Sequence, residues 1–474
     1  MRDRYKTAAA CAAIMLALCL SSSGARAGET IELKKISLEE ARSIALANNR
    51  DYRIATHRLH EAGEKVGGVW GQLIPVLESE ASLQRQYAES GAMSLSDGQY
   101  DIRFVQLRFG INPGMFYNSL QLSRSAYIVA QEEARRIRAE VEYNVIKSYF
   151  NLLLAGEAIV LRKESMDLLK TNLKDVENLY RTGSVPRFEL LQAQVQYQGQ
   201  EPLLLEARNN HAIMLDTFNY HLGAENDRYT ADDSILRRGA YRLPDGDSAR
   251  KTMRLIQAGL RNRPEVIQVQ KKREMAENAE SIQDSYYLWP TFTIGGSYGM
   301  TKLMPNPPSV VIDTPMGALS PDLSAISGTS AWQNTWQVRM AATYRWGALI
   351  PWDATRAAGR EEELRVKEAE EELGKIRKLI GISVNASYSR LVTSCLTIRS
   401  QKENVATAEE GLRIARESYR AGVIKNSELL SAELALTNAR TGYINSVNSY
   451  YSSLAELKRE IGSDDEKLIM EDAQ

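Results

Sequence analysis

Few residues in this sequence are of the types that hold metals or attack substrates. There are four histidines, His57, His60, His211 and His221; His57 and His60 stand three apart with Glu61 next in line. On a helix those three could face one way and hold a metal weakly. No third ligand stands at a recognised spacing, so the reading is solvated helix-face residues. Cys395 is the only cysteine after residue 27, which leaves no internal disulfide and reads, within a helical pattern, as a small buried hydrophobe. Phosphate-binding loops, dinucleotide fingerprints and nucleophile elbows are absent. The chain is therefore read as a non-enzyme without metal or cofactor. Acids are plentiful, mostly in helical runs such as Glu361 to Glu372, where a solvated face is expected. Two acids recur by position: Glu189 and Glu428 each stand six residues after a glycine, Gly183 and Gly422, where a helix N-terminus favours a carboxylate.

The elements that would carry these residues belong to a chain of 474 residues with 59 Lys plus Arg against 60 Asp plus Glu. A net charge of −1 gives no general pull toward nucleic acid. Hydrophobic residues are 43%, too many for disorder, and 22 Tyr against 7 Phe suit helices packed through small and aliphatic side chains. Residues 1–27 read as a secretory signal: Arg2, Arg4 and Lys6, an apolar stretch from Ala8 to Leu20, then the small-residue site Ala25-Arg26-Ala27, with cleavage before Gly28. Cys19, after Leu16, Ala17 and Leu18, leaves acylation as the alternative, against which the bulky Leu18 counts. Without the signal the net charge is −4. No further apolar run reaches about 20 residues, which argues against membrane helices and leaves a β-barrel open.

Internal repetition organises the rest. Tyr180-Arg181-Thr182-Gly183 with Glu189-Leu190-Leu191 recurs as Tyr419-Arg420-Ala421-Gly422 with Glu428-Leu429-Leu430, at an offset of 239 that also relates Gly223 to Gly462. Leu46, Asn48, Asp51 and Pro75 match Leu260, Asn262, Glu265 and Pro290 at offsets of 214 to 215. The second half thus carries about 24 extra residues, assigned to the Pro, Gly and Ser-rich stretch from Leu303 to Ser330, read as a long loop.

Each half parses alike. Ser37 and Glu40 form a capping box opening an amphipathic helix that runs toward Leu73. After Pro113, apolar residues at Val145, Tyr149, Leu152, Ile159, Leu168, Leu169, Val176 and Tyr180 follow helical spacing to Arg181. Such a helix would span about 100 Å and needs a coiled-coil-like partner, supplied by an antiparallel helix from Phe188 to His221. The second half repeats this from Asp353 to Ala421 and from Ser427 to Ile461.

Between the helices lie strands. Trp336, Val338, Met340, Ala342, Tyr344 and Trp346 alternate with Gln337, Arg339, Ala341, Thr343 and Arg345, giving one apolar and one partly basic face. Phe292 to Met300 and Leu77 to Tyr87 alternate too, and between Phe104 and Val105 the phase slips, as at a bulge. A half-buried soluble sheet would show the same alternation; the length of about ten residues with aromatic ends also fits a tilted membrane strand. Four strands cannot close a barrel, so in lipid the chain must oligomerise.

This duplicated helix, strand pair and long hairpin, with a Tyr-Arg-x-Gly turn followed by Glu-Leu-Leu behind a signal peptide, resembles the TolC-type outer membrane efflux proteins from about Ile36 to Gly462. The opening Leu38-Glu39-Glu40-Ala41 with Ala45, Leu46, Asn48 and Asn49 carries it as well. The resemblance implies an α+β membrane protein, a homotrimer whose twelve strands form an outer membrane β-barrel continued by a periplasmic α-barrel. A periplasmic adaptor, the membrane fusion protein, would link it to an inner membrane pump or ABC transporter; the duct itself is passive. Drugs, metal ions, polysaccharides and polypeptides leave through ducts of this kind. By the same resemblance Glu189 and Glu428 would form a carboxylate ring at the periplasmic constriction, Tyr180 and Tyr419 would help hold it closed, and an adaptor would dock beside Gly183 and Gly422. Simple first-turn capping and helix-end packing explain the same residues. A second carboxylate of the family pattern falls at Gln192 and Ser431 here, which argues against a double ring. Trp336, Val338, Met340, Tyr344 and Trp346 would face lipid.

The expected organisation is a signal at 1–27; a first repeat at 28–223 with strands about 76–88 and 99–110 and a helical hairpin about 114–222; an irregular equatorial segment at 224–250; a second repeat at 251–462 with strands about 291–302 and 334–346 and a hairpin about 352–461; and a tail at 463–474. The location implied is the outer membrane of a Gram-negative bacterium, reaching into the periplasm. The competing reading is a soluble periplasmic coiled-coil scaffold with its strands in a small capping sheet.

Overall fold

The computed structural model describes residues 33–85, 96–224, 228–234, 248–305, 312–314, 317–319, 331–346, 350, 352–463 and 466–470. The export signal with Cys11 and Cys19 lies outside the described residues, as do the middle of the 224–250 segment and most of the 303–330 stretch. The chain divides into two compact units. One holds the described residues of 1–49, 145–239 and 407–445; the other holds those of 50–144, 240–406 and 446–474.

The first unit opens with strand β1 (Leu33–Ile36) and helix α1 (Leu38–Asn48). Ser37 and Glu40 form the capping box: the Glu40 amide donates to Ser37 Oγ at 3.3 Å and the Ser37 amide to Glu40 Oε2 at 2.8 Å. The helix does not run on to Leu73. Asn49 leaves helical geometry at ψ 129°, and its buried side-chain amide donates to the His221 carbonyl at 2.9 Å. A new helix, α2, begins at Arg50 and ends at Gly71.

Helix α3 (Pro113–Arg181) follows the strand pair β2 (Val76–Arg85) and β3 (Ser96–Ile111). Over one window of α3 the mean hydropathy reaches 1.2, enough by composition for a membrane span. In the first unit its apolar stripe is used for packing. Tyr149 is buried against Phe150 and Phe218, with ring centroids 5.6 and 5.8 Å away, and its hydroxyl bonds the backbone of Ile36 and Asp232. The returning limb is broken in two, α4 (Arg187–Gln198) and α5 (Gln200–Leu222). Pro202 has no N–H and its ring opposes the Gln198 carbonyl, so the ladder is interrupted at Gly199. After α5, β4 (Arg228–Ala231) pairs in parallel with β1, so the 224–250 segment is not wholly irregular.

In the second unit α6 (Ser248–Asn262) and α7 (Pro264–Leu288) are separated at Arg263, where ψ is 128° and Pro264 takes the first helical position. Arg263 donates to Glu460 at 2.7 Å and to Glu265 at 3.0 Å, fixing the break. Strand β5 (Thr291–Pro305) leads to a short antiparallel pair, β6 (Ile312–Thr314) and β7 (Gly317–Leu319), so the stretch read as a loop holds strands. Strand β8 (Gln333–Thr343) precedes α8 (Ala354–Arg420), α9 (Asn426–Ile461) and α10 (Glu466–Met470). Helix α9 is continuous, for the position matching Pro202 is Thr441. Leu255, Ile380, Leu391, Leu457 and Ile461 are fully buried in this unit.

The sheet order is β2-β3-β5-β8, antiparallel throughout. The phase slip is a bulge: pairing passes from Arg103↔Gly299 to Val105↔Tyr298, leaving Phe104 extra, and Ser79 Oγ caps the Phe104 carbonyl at 2.7 Å. A Cβ on Gly299 would lie 2.2 Å from the Ile102 carbonyl oxygen, so the bulge requires glycine there.

Candidate functional site

The two hairpin turns, both in the first unit, end their helices identically. Gly183 and Gly422 have φ of 74°, and each amide donates three residues back, to Tyr180 O at 3.0 Å and Tyr419 O at 2.9 Å. The next amides, of Ser184 and Val423, reach Leu179 O and Ser418 O at 2.9 Å. This is the Schellman arrangement, and the left-handed residue in it is glycine for want of a Cβ penalty. The tyrosines contribute carbonyls to the turns, a service any residue would give. Their side chains differ: Tyr180 is 40% exposed, whereas Tyr419 packs beside the Leu412, Leu429 and Leu436 cluster.

Tyr419 looks into a hollow of about 800 Å³ shared by the ends of α3, α4, α8 and α9. Glu189, Asp175, Arg416, Lys425 and Glu433 line it too. At its wall Asn172 Nδ2 donates to Asn426 Oδ1 at 2.6 Å, both residues buried, Asn426 to 1% exposure. The outer amide atoms of that pair, the Tyr419 hydroxyl and Glu433 Oε2 have no hydrogen-bond partner among the described residues. Burial pushes the Tyr419 hydroxyl pKa up, and the charges of Glu189 and Asp175 push it further. Burial likewise raises the Glu433 carboxyl, opposed by Arg416 at 3.8 Å. Such a contact is polar and incompletely paired, with one hydrogen bond between the side-chain amides of Asn172 and Asn426 joining α3 to α9. Further along, Arg440 on α9 bridges Glu164 on α3 at 2.8 Å and Glu409 on α8 at 2.9 Å.

Glu189 and Glu428 both lie in the first turn of a helix. Glu189 lines the hollow; Glu428 is exposed and does not. Gln192 is half-buried, and Ser431 donates back to the Ser427 carbonyl at 2.9 Å. Asn172, Asn426, Arg416 and Glu433 escaped the sequence reading. Asn172 had a signal: it falls in phase between Leu169 and Val176, a polar residue on an apolar stripe.

In the second unit, the register puts Phe292, Ile294, Gly296 and Tyr298 opposite Ala342, Met340, Val338 and Trp336 on one apolar face. It is uncovered: Trp336 is 78% and Met340 75% exposed. Tyr344 and Trp346 lie past the end of β8, their rings 4.9 Å apart, and the Tyr344 hydroxyl donates to the Tyr287 carbonyl. Arg345 and Arg356 stack on Tyr286 and Tyr287 at 5.3 and 4.9 Å, so aromatic and cationic groups gather at the foot of the sheet.

Among the described residues no group of three or more His, Cys, Asp or Glu could hold a metal ion. His57 and His60 are exposed, and Glu61 is engaged by Lys65 at 2.8 Å.

The sequence pattern of the outer membrane efflux protein family matches residues 41–223 and again 255–463. A probable outer membrane lipoprotein of Salmonella typhimurium, SilC, is 25% identical over 182 residues, 37% of this chain and 39% of that protein. The cation efflux system protein CusC of Escherichia coli K12 is 28% identical over 158 residues, 32% of this chain and 33% of its own. These matches span well under half of either curated relative. Crystal structures share the fold over nearly the whole chain. CusC superposes with a TM-score of 0.71 at 19% identity, covering 93% of this chain and 96% of its own. The CmeC outer membrane channel of Campylobacter jejuni gives 0.69 at 18%, covering 90% and 85%.

Proposed function

The chain belongs to the outer membrane efflux protein family, and from that membership we propose that it is the outer membrane channel of a tripartite efflux or type I secretion system. It is a passive duct through the outer membrane of a Gram-negative bacterium, extending into the periplasm. An inner membrane pump or ABC transporter drives it through a periplasmic adaptor.

The observation that carries this reading is the sheet. Four strands with an uncovered apolar face, and with edges β2 and β8 that pair with no other strand among the described residues, are a poor end state in water and an impossible one in lipid. Three copies would join edge to edge into a twelve-stranded barrel, with Trp336, Val338 and Met340 toward lipid and Tyr344 and Trp346 at its rim. Two repeats, 28–223 and 251–462, each contribute a strand pair and a helical hairpin, with 224–250 as an equatorial belt and 463–474 as a tail. The helices continue the barrel as an α-barrel.

At the far end Glu189 and Glu428 from three protomers gather six carboxylates at the constriction, a field that draws cations. Tyr180 and Tyr419 hold the closed tips, and the adaptor docks beside Gly183 and Gly422. The exposed tip glycines and the incompletely paired hollow beside Tyr419 support a tip that moves.

The test is the native mass of protein extracted in detergent from outer membranes. A species near three times the mature mass is expected; a soluble monomer or dimer without detergent would replace the duct by a periplasmic coiled-coil scaffold. Glu189→Ala with Glu428→Ala should leave the trimer intact and raise conductance or antibiotic leakage. Unchanged leakage and cation preference would remove the gate assignment.

A further inference from the structure

The strand register sorts charge along the polar face of the sheet. Arg108, Gly295 and Arg339 stand in one row, with Val76 beside Arg108. The next row is Glu78, Gln106, Ser297 and Gln337, and the one after it Glu80, Arg103, Gly299 and Thr335. The first row, near the strand ends that join α3 and α7, therefore holds two cations and no acid. Arg103 is matched within its row by Glu80 at 3.0 Å, and Arg108 by Glu78 from the row above. Arg339 has no ion-pair partner among the described residues.

This face is the hollowed one. A concavity of about 590 Å³ is lined by Arg103, Arg108, Gly295, Gln337 and Arg339. Gly295 sets no side chain between the two arginines of its row. A Cβ there would meet nothing closer than the Leu107 carbonyl oxygen at 3.6 Å, so the gap is open rather than packed shut. With neighbouring strands about 4.8 Å apart, the Arg108 and Arg339 backbones are about 10 Å apart, a span two guanidinium groups can close around one oxyanion.

We propose that Arg339, with Arg108 across the gap at Gly295, forms an oxyanion-binding site on the sheet's polar face, taking the carboxylate, sulfate or phosphate groups of soluble cargo. The proposal rests on the duct reading, which turns this face inward and brings three such sites round one lumen. It gives the barrel's helix-side mouth a preference opposite in sign to that of a carboxylate constriction. Anionic groups would dwell there after passing the tips.

The test uses the full trimer in planar bilayers, with hexacyanoferrate(III), a trivalent anion, added on the sheet side. Voltage-dependent block is expected. Arg339→Gln should raise the half-blocking concentration by about tenfold, the effect of losing one charge-assisted partner, while Arg339→Lys keeps much of the block. Block by hexaamminecobalt(III), a trivalent cation, should not weaken in Arg339→Gln. Anion block that is absent, or indifferent to Arg339→Gln and Arg108→Gln, would overturn the site while an open-channel current upholds the duct. Absence of any conductance from a correctly extracted protein would overturn the duct reading itself.

Discussion

The four left-handed glycines among the described residues give a graded test of how far each turn is constrained by backbone alone. Gly183, Gly223, Gly422 and Gly462 have φ of 74°, 69°, 74° and 64°, and all four end helices with the same two bonds. Alanine at any of them therefore carries the left-handed penalty of about 1–2 kcal/mol. At Gly183 and Gly422 a Cβ meets nothing within 4 Å, so that penalty is the whole cost. At Gly223 it would lie 2.6 Å from the Asn48 carbonyl oxygen and 3.0 Å from the Asn49 amide nitrogen, backbone atoms of the α1 break that cannot rotate aside. Overpacking there adds about 1–3 kcal/mol. Gly462 is intermediate, with the Asn262 carbonyl oxygen 3.0 Å away. The expected order is Gly223→Ala, at about 2–5 kcal/mol, then Gly462→Ala, then the two tip variants at about 1–2 kcal/mol. Asparagine, which enters left-handed geometry more readily, should cost less than alanine at the tips. Thermal unfolding of the detergent-solubilised protein, followed by far-ultraviolet circular dichroism, measures the series. Equal shifts at all four positions would refute the role given to the neighbours, as would a loss at Gly422 exceeding that at Gly223.

Trp336→Lys should lower outer membrane yield, since a cation on a lipid face costs about 2–4 kcal/mol at mid-depth, whereas Gln337→Lys on the opposite face should be tolerated; equal yields would sink the assignment of faces. Glu133 is held near pKa 2, from an ordinary 4.5, chiefly by its bonds to Arg136 and also by Gln268. A carboxylate depressed in the folded state stabilises above pH 4.5 and loses that contribution as pH falls toward 2. Glu133→Gln should thus flatten acid unfolding in that window, and an unchanged acid limb would contradict the pairing. Burial pushes the Cys395 thiol up to about 11, so maleimide at pH 8 should label it only on unfolding; rapid labelling of the folded protein would contradict its burial.

Local rules made much of this protein legible. The Ser37 and Glu40 box, the turn glycines and the alternation along β8 each depend on neighbours within a few residues, and each stands in the structure. The bulge at Phe104 was visible for the same reason, as a slip of phase. The helix breaks at Asn49 and Arg263 were not, because long-range partners hold them: the His221 carbonyl in one case and Glu460 in the other. Pro202 is a local signal for the break at Gly199, since a proline inside a helical pattern opposes the carbonyl four residues back, but the reading of one helix from Phe188 to His221 runs across it.

The candidate sites divide along the same line. Sequence alone determined that two equivalent turns exist, that each is followed by a first-turn acid, and that one strand face is apolar, since spacing fixes all three. Only the tertiary structure decided that Tyr419 turns into a polar hollow while Tyr180 stays exposed, and that Glu189 but not Glu428 joins it. The same holds for Asn172 meeting Asn426, 254 positions away, and for Arg339 standing beside a glycine and an arginine from other strands with no acid paired to it among the described residues. Identical local motifs acquire different surroundings because burial and charge balance are set by segments distant in the chain, and no local period encodes which segments those are.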